Sequence, residues 1–165
     1  MTKLYKVLIV VGAFFIFGKK PVVETHPAYA RMTEAATDLE TALARRPWPE
    51  AVQSKRARIV FEFAGEESSF YTNPPGFNDN GAACGVMQLH NPQLDLPAAT
   101  CEAVRKDRVL GFEAGIARIQ RLEKECGSIA EALSAYAWRG ECTHGIILDI
   151  VKRRCRKAGL SETCE

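Results

Sequence analysis

Six cysteines, at positions 84, 101, 126, 142, 155 and 164, all fall in the second half of this 165-residue chain. An even set in a small exported domain reads as up to three disulfides, with fifteen pairings open from sequence. Short cross-links matter at this size, because a small domain buries a limited fraction of its surface. Cys84, Cys101, Cys126, Cys142, Cys155 and Cys164 are therefore the disulfide candidates. A metal site with His90 and His144 as extra ligands is the competing reading. It lacks the usual spacing: there is no Cys-x-x-Cys pair, and Cys142-x-His144 stands alone. Neither a metal nor a cofactor is expected.

Disulfides need an oxidising compartment, and the N-terminus predicts export. Lys3 and Lys6 precede the apolar run Val7–Phe17, and Lys19-Lys20 follow it. Such a run rises about 17 Å as a helix. That is short of a roughly 30 Å hydrocarbon core and fits a signal-peptide h-region. Ala28-Tyr29-Ala30 has the small-x-small form of a cleavage site, though distant from the run. Residues 1–30 are read as a signal peptide or short membrane anchor with a linker, and residues 31–165 as the folded domain. The membrane is met only through the N-terminal segment. The expected location is periplasmic or cell-envelope.

Charge excludes a class of partner. Residues 1–30 hold four of the 22 basic and one of the 20 acidic side chains, leaving 18 against 19 in the domain. A near-neutral domain gives no argument for nucleic acid. With 47% hydrophobic and 25% charged residues, the chain can bury a core.

Periodicity predicts a mostly helical domain with one irregular lobe between residues 68 and 100. Residues 19–32 read as linker. A first helix starts near Thr33, or at a Thr37–Glu40 capping box, and breaks at Arg46-Pro47-Trp48-Pro49. A second runs from about Glu50 to Ala64 with Val52, Ile59, Val60 and Phe63 inward, ended or loosened by Gly65. Residues 71–83 are dense in turn formers and predict a loop with a small hairpin. Phe112, Ile116, Ile119 and Leu122 mark a long helix to Cys126, stopped by Gly127. Ser128–Glu131 is a second capping box opening a short helix through Tyr136. A last helix covers about Gly145 to Lys157, with Ile146, Ile147, Ile150 and Val151 inward and Gly159 closing it.

Three short segments carry candidate chemistry. Glu67 follows Phe61, Phe63 and Ala64 and precedes Phe70, Tyr71 and Phe77. An apolar pocket disfavours the carboxylate, so such a glutamate keeps its proton and can act as an acid. Gly85-Val86-Met87-Gln88 offers close backbone approach, an apolar wall and an amide able to meet an N-acetyl group. Tyr136, after Ala135, can hydrogen-bond a carboxyl and fix its rotamer. Glu66 points about 100° from Glu67 on a helix and reads as a solvated charge. The basic stretch Lys152–Lys157 reads as a solvated helix face.

Glu67-Ser68, Gly85-Val86-Met87-Gln88 and Ala135-Tyr136, in this order, resemble the lytic transglycosylases. That family's pieces read Glu-Ser, Gly-x-Met-Gln and Ala-Tyr-Asn-Ala-Gly, and the resemblance covers about residues 50–158. It implies a mainly α, α+β lysozyme-like fold: a helical bundle lobe and a small irregular or hairpin lobe flanking a glycan cleft. It implies Glu67 as the single acid and base, with Ser68, Gly85, Met87, Gln88 and Tyr136 as substrate-binding residues. Tyr136 would orient the Glu67 carboxylate. The substrate would be peptidoglycan glycan strands, cleaved at the MurNAc-GlcNAc β-1,4 bond with 1,6-anhydromuramic acid as product. The chain departs from the pattern after Tyr136, where Ala137-Trp138-Arg139-Gly140 replaces Asn-Ala-Gly.

Two alternatives stay open. A lysozyme-type muramidase needs a second carboxylate, for which Asp79 and Asp95 are the candidates. Both sit in turn contexts where Asp commonly caps its own backbone. A catalytically inactive peptidoglycan-binding assembly protein is the other. Wall turnover, a secretion or conjugation machine and phage assembly are all compatible contexts.

Overall fold

The computed structural model describes residues 27–73, 82–138, 140–157, 159–161 and 164. The leader, the Asp79 candidate and Phe77 lie outside the described residues. Among those described, the chain is mainly helical and contains no strand. Six α-helices follow in order: α1 Pro27–Arg45, α2 Glu50–Ser68, α3 Cys101–Lys106, α4 Arg108–Cys126, α5 Ile129–Ala137 and α6 Gly145–Lys157. A 3₁₀ turn, Pro92–Leu94, lies between α2 and α3. None of these helices is long and apolar enough to cross a membrane.

Helix α4 is the hub, contacting α1, α3, α5 and the 3₁₀ turn. Seven consecutive residues, Gly111 to Ala117, are buried, so its first half is enclosed on every side. Its start is capped by Asp107, whose Oδ1 accepts from Leu110 N at 3.0 Å. Its end is the left-handed Gly127, φ +89°. The Ser128–Glu131 capping box forms, with Glu131 N donating to Ser128 Oγ at 3.2 Å. The Ser128 hydroxyl in turn donates to the Glu131 carboxylate at 2.9 Å. Arg108 ties α4 to α1 through Glu34 (3.3 Å) and Asp38 (3.2 Å).

Several expected boundaries shift, each for a physical reason. Ala28-Tyr29-Ala30 lies within helix α1, Pro27–Arg45, instead of in a linker. Thr37 caps nothing: its hydroxyl donates to Thr33 O at 3.3 Å, within the helix. Gly65 does not end α2, which continues one further turn to Ser68. A Cβ on Gly65 would stand 3.0 Å from Phe70 Cζ, so this glycine makes room for a ring. The chain reverses instead at Ser69 and Phe70, φ +50° and +64°, folding Phe70 back against Phe61 at 4.7 Å between centroids. Ile146 faces solvent, 70% exposed, while Ile147 and Leu148 pack on the core and Val151 is buried.

All six cysteines pair locally: Cys84–Cys101, Cys126–Cys142 and Cys155–Cys164. The first fixes the turn after the loop to the start of α3. The second ties the end of α4 to the segment before α6, and the third folds the C-terminal segment onto α6. Three disulfides are compatible with an oxidising compartment.

Candidate active site

Because α2 runs on to Ser68, Glu67 is held on a helix and not on a loop. Its side chain is 29% exposed. Burial raises its carboxyl above the ordinary carboxylate value of 4.5; Arg154 opposes that shift and the like charge of Glu66 adds to it. Arg154, on α6, places Nε 2.8 Å from Glu66 Oε2 and Nη1 4.0 Å from Glu67 Oε1. Its guanidinium also lies 5.7 Å from the centre of the Phe63 ring. Glu66 is thus half-exposed and ion-paired, not merely solvated.

The Gly85–Gln88 segment is a tight turn closed by the bridge Cys84–Leu89. Gly85 has φ +72°, and a Cβ there would meet Val104 of α3 at 3.0 Å. The glycine is needed for the turn and for packing on α3. Val86 and Met87 are fully buried against α4. They fit because Gly111 and Gly115 lack side chains: added Cβ atoms would reach Val86 at 3.2 Å and Met87 at 2.6 Å. Gln88, φ +47°, directs its Nε2 back to Gly85 O at 2.8 Å.

Two side chains from distant helices grip this turn by its backbone. Ser68 Oγ lies 2.7 Å from Val86 O, 18 residues away, and also 2.9 Å from Ala64 O, sharing one proton between them. The Tyr136 hydroxyl donates to Met87 O, 49 residues away. Tyr136 packs edge-on against Phe63 at 6.1 Å, with the Arg118 guanidinium 5.3 Å from its ring centre. Burial, then the Glu67 charge, hold its hydroxyl far above the ordinary phenol range, so it remains a donor.

The fold therefore brings the three expected segments together, but several residues serve differently from expectation. Ser68 is buried, and its hydroxyl binds the turn at Val86 O. The Met87 side chain is a core residue and cannot line an open cleft. Tyr136 gives its proton to Met87 O instead of to the Glu67 carboxylate. Gln88 is the part-exposed member of its turn, with one amide hydrogen directed inside it. Asp95 is 1% exposed at its side chain and pairs with Arg121 Nε at 2.6 Å, while its Oδ2 is buried without a hydrogen-bond partner.

Arg154 was not foreseen, since it lies in a charge run read as solvated. The available signal was its helical register: three residues after the inward Val151 and next to Cys155. Arg118 and Arg121, on α4, also carry site contacts that the sequence reading does not single out. They pin the segment after Gln88 to α4, through His90 O (3.1 Å) and Asp95.

Beside Glu67, between α2 and α6, lies an open-sided cleft of about 590 Å³ including its solvent-facing side. Glu66 and Arg154 line it, and Glu67 does not. No protein-family model matches this chain, and no curated protein or solved structure is significantly similar to it.

Proposed function

We propose that this chain is a peptidoglycan lytic transglycosylase with Glu67 as its single acid and base. One observation carries the reading. Glu67-Ser68, Gly85–Gln88 and Ala135-Tyr136 converge on one turn, through Ser68 to Val86 O and Tyr136 to Met87 O. Beside that turn stands a glutamate whose carboxyl burial shifts upward, the direction an acid catalyst needs. In this reading the helices form one lobe and the irregular segment between α2 and α3 the other, an α+β lysozyme-like arrangement around a glycan cleft. The exported, cell-envelope location belongs to the same proposal.

Glu67, protonated, delivers its proton to the glycosidic oxygen between N-acetylmuramic acid and N-acetylglucosamine. The C1–O bond breaks and the leaving sugar departs as an alcohol. The Glu67 carboxylate then takes the proton of the muramic acid 6-hydroxyl, whose oxygen closes on C1 to give the 1,6-anhydro end. Arg154 steadies the carboxylate between the two proton transfers. No water is consumed, so one carboxylate serves both steps. A single-glutamate route is favoured over a muramidase route through Asp95, because that carboxylate is buried against Arg121.

Mass spectrometry of soluble products from purified peptidoglycan, beside Glu67→Gln, tests the reaction. Anhydro-muropeptides from the unmutated protein alone support it. Reducing-end fragments would mean hydrolysis. Binding to sacculi without soluble product would identify a non-catalytic binding protein.

A further inference from the structure

Positive charge in this domain is concentrated on one element. Helix α6 holds five of the 18 basic side chains of residues 31–165 and one of the 19 acidic ones, Asp149. The remainder, 13 against 18, is acidic. The inner face of α6 is fixed by Ile147, Leu148, Val151 and Cys155, which pack on the core. At about 100° per residue the opposite face runs through Ile146, Ile150 and Arg153, with Asp149 and Arg156 beside them. The exposures agree: Ile146, Arg153 and Arg156 are exposed and Ile150 is half-buried. Trp138, 40% exposed after the last turn of α5, adds an apolar surface at the same end of α6. Its ring stacks on His144, two residues before Ile146, at 4.9 Å between centroids. The chemistry assigned to Glu67 uses none of these outward side chains.

We infer that the outer face of α6, with Trp138 at its head, is a docking surface for an anionic lipid bilayer. Charge complementarity selects the sign of the partner. Arg153, Arg156 and the half-buried Lys152 attract an anionic surface, and the acidic remainder of the domain turns away from it. A second copy of the chain meeting this face with its own would set cation against cation. The apolar side chains select a bilayer over a soluble polyanion, which offers Ile146 and Trp138 no apolar layer to enter. Tryptophan and isoleucine suit the headgroup boundary, where arginine keeps its charge among the phosphates. The N-terminal sequence supplies proximity. Nine residues separate Phe17, the end of the apolar run, from Pro27, where α1 starts, and they reach at most about 30 Å. A retained leader therefore keeps the domain beside the membrane, and α6 decides which side faces it. This docking does not depend on the reaction at Glu67.

Vesicle co-sedimentation and tryptophan quenching of the full chain test this. Vesicles of phosphatidylglycerol and phosphatidylcholine in equal parts are compared with phosphatidylcholine alone, each with and without brominated acyl chains. The expected result is salt-sensitive binding to the anionic vesicles, with bromine quenching of Trp138, since Trp48 is buried. Trp138→Phe should remove that quenching. Arg153→Ser/Arg156→Ser should weaken binding about tenfold or more, at about fivefold per cation, and lose the quenching. Lys55→Ser/Lys124→Ser makes the same change in net charge at exposed positions of α2 and α4, and should bind as the unmutated chain does. Circular dichroism confirms folding of each variant. Equal binding by Arg153→Ser/Arg156→Ser would show that the leader alone holds the bilayer, and would overturn the surface. So would a bound protein whose tryptophan is not quenched, an equal loss in the Lys55/Lys124 variant, or capture by sacculi in place of vesicles.

Discussion

Replacing Tyr136 by phenylalanine removes one oxygen atom and leaves the ring against Phe63 and Arg118. The structure assigns that oxygen to the carbonyl of Met87, a fully buried residue. Stranding a buried carbonyl costs about 1–3 kcal/mol. About 2 kcal/mol lowers the melting temperature of a domain this size by roughly 6–8 °C. Scanning calorimetry and urea unfolding of Tyr136→Phe measure this directly. Ser68→Ala should cost a similar amount, since its hydroxyl is equally buried and reaches the preceding carbonyl, Val86 O. Both hydroxyls hold one turn, so the double variant should depart from additivity by about 0.5 kcal/mol or more. A Tyr136→Phe protein with unchanged melting temperature but lost glycan cleavage would refute the argument. It would show that the hydroxyl serves the Glu67 carboxyl, as the sequence resemblance implies.

Burial raises the Glu67 carboxyl above 4.5, so the folded chain holds a proton that the unfolded chain has released. Stability then falls as pH rises from 4.5 through the raised value, and Glu67→Gln should be the more stable protein at pH 7 but not below 4.5 in urea titrations. Arg154→Gln should raise the Glu67 carboxyl further, and Glu66→Gln should lower it by removing a like charge and freeing Arg154. Carbon-13 titration of the carboxyl, and the basic limb of any cleavage pH profile, should therefore move in opposite directions for the two. Replacing Cys126 and Cys142 by serine opens a link with a separation of 16 residues and should cost about 3 kcal/mol in denaturant unfolding. Gly115→Ala would place a Cβ 2.6 Å from Met87 Cγ, with an expected loss of about 1–3 kcal/mol by the same assay.

Helix α4 was legible because Phe112, Ile116, Ile119 and Leu122 repeat at helical spacing and all four are buried. The Ser128–Glu131 box and Gly127 were legible because capping depends on particular side chains at fixed offsets. Helix α3, Cys101–Lys106, went unseen; six residues are too few to show a period. Gly65 misled because its use is tertiary, decided by where Phe70 folds back. Ile146 misled because an isoleucine in a helix reads as inward wherever its neighbours do. In the site, the meeting of the three segments agrees with their order in sequence. The bonds that join them run from hydroxyls to backbone carbonyls, and a carbonyl acceptor leaves no mark in a sequence.

That clasp also has a mechanical consequence. One side of the site, the Gly85–Gln88 turn, is riveted through consecutive carbonyls, braced by Cys84–Cys101 and seated on the enclosed α4. The opposite side is α6, joined to α2 here by the part-exposed ion pairs of Arg154. Exposed pairs of this kind contribute about 1 kcal/mol or less, so they yield well before the turn does. The two sides are therefore held unequally: the turn by buried hydroxyl–carbonyl bonds, and α6 at its α2 face by part-exposed ion pairs, with Val151 and Cys155 anchoring it to the core. Amides of α6 should exchange with solvent sooner than those of Cys84 and Leu89, and salt should widen that gap.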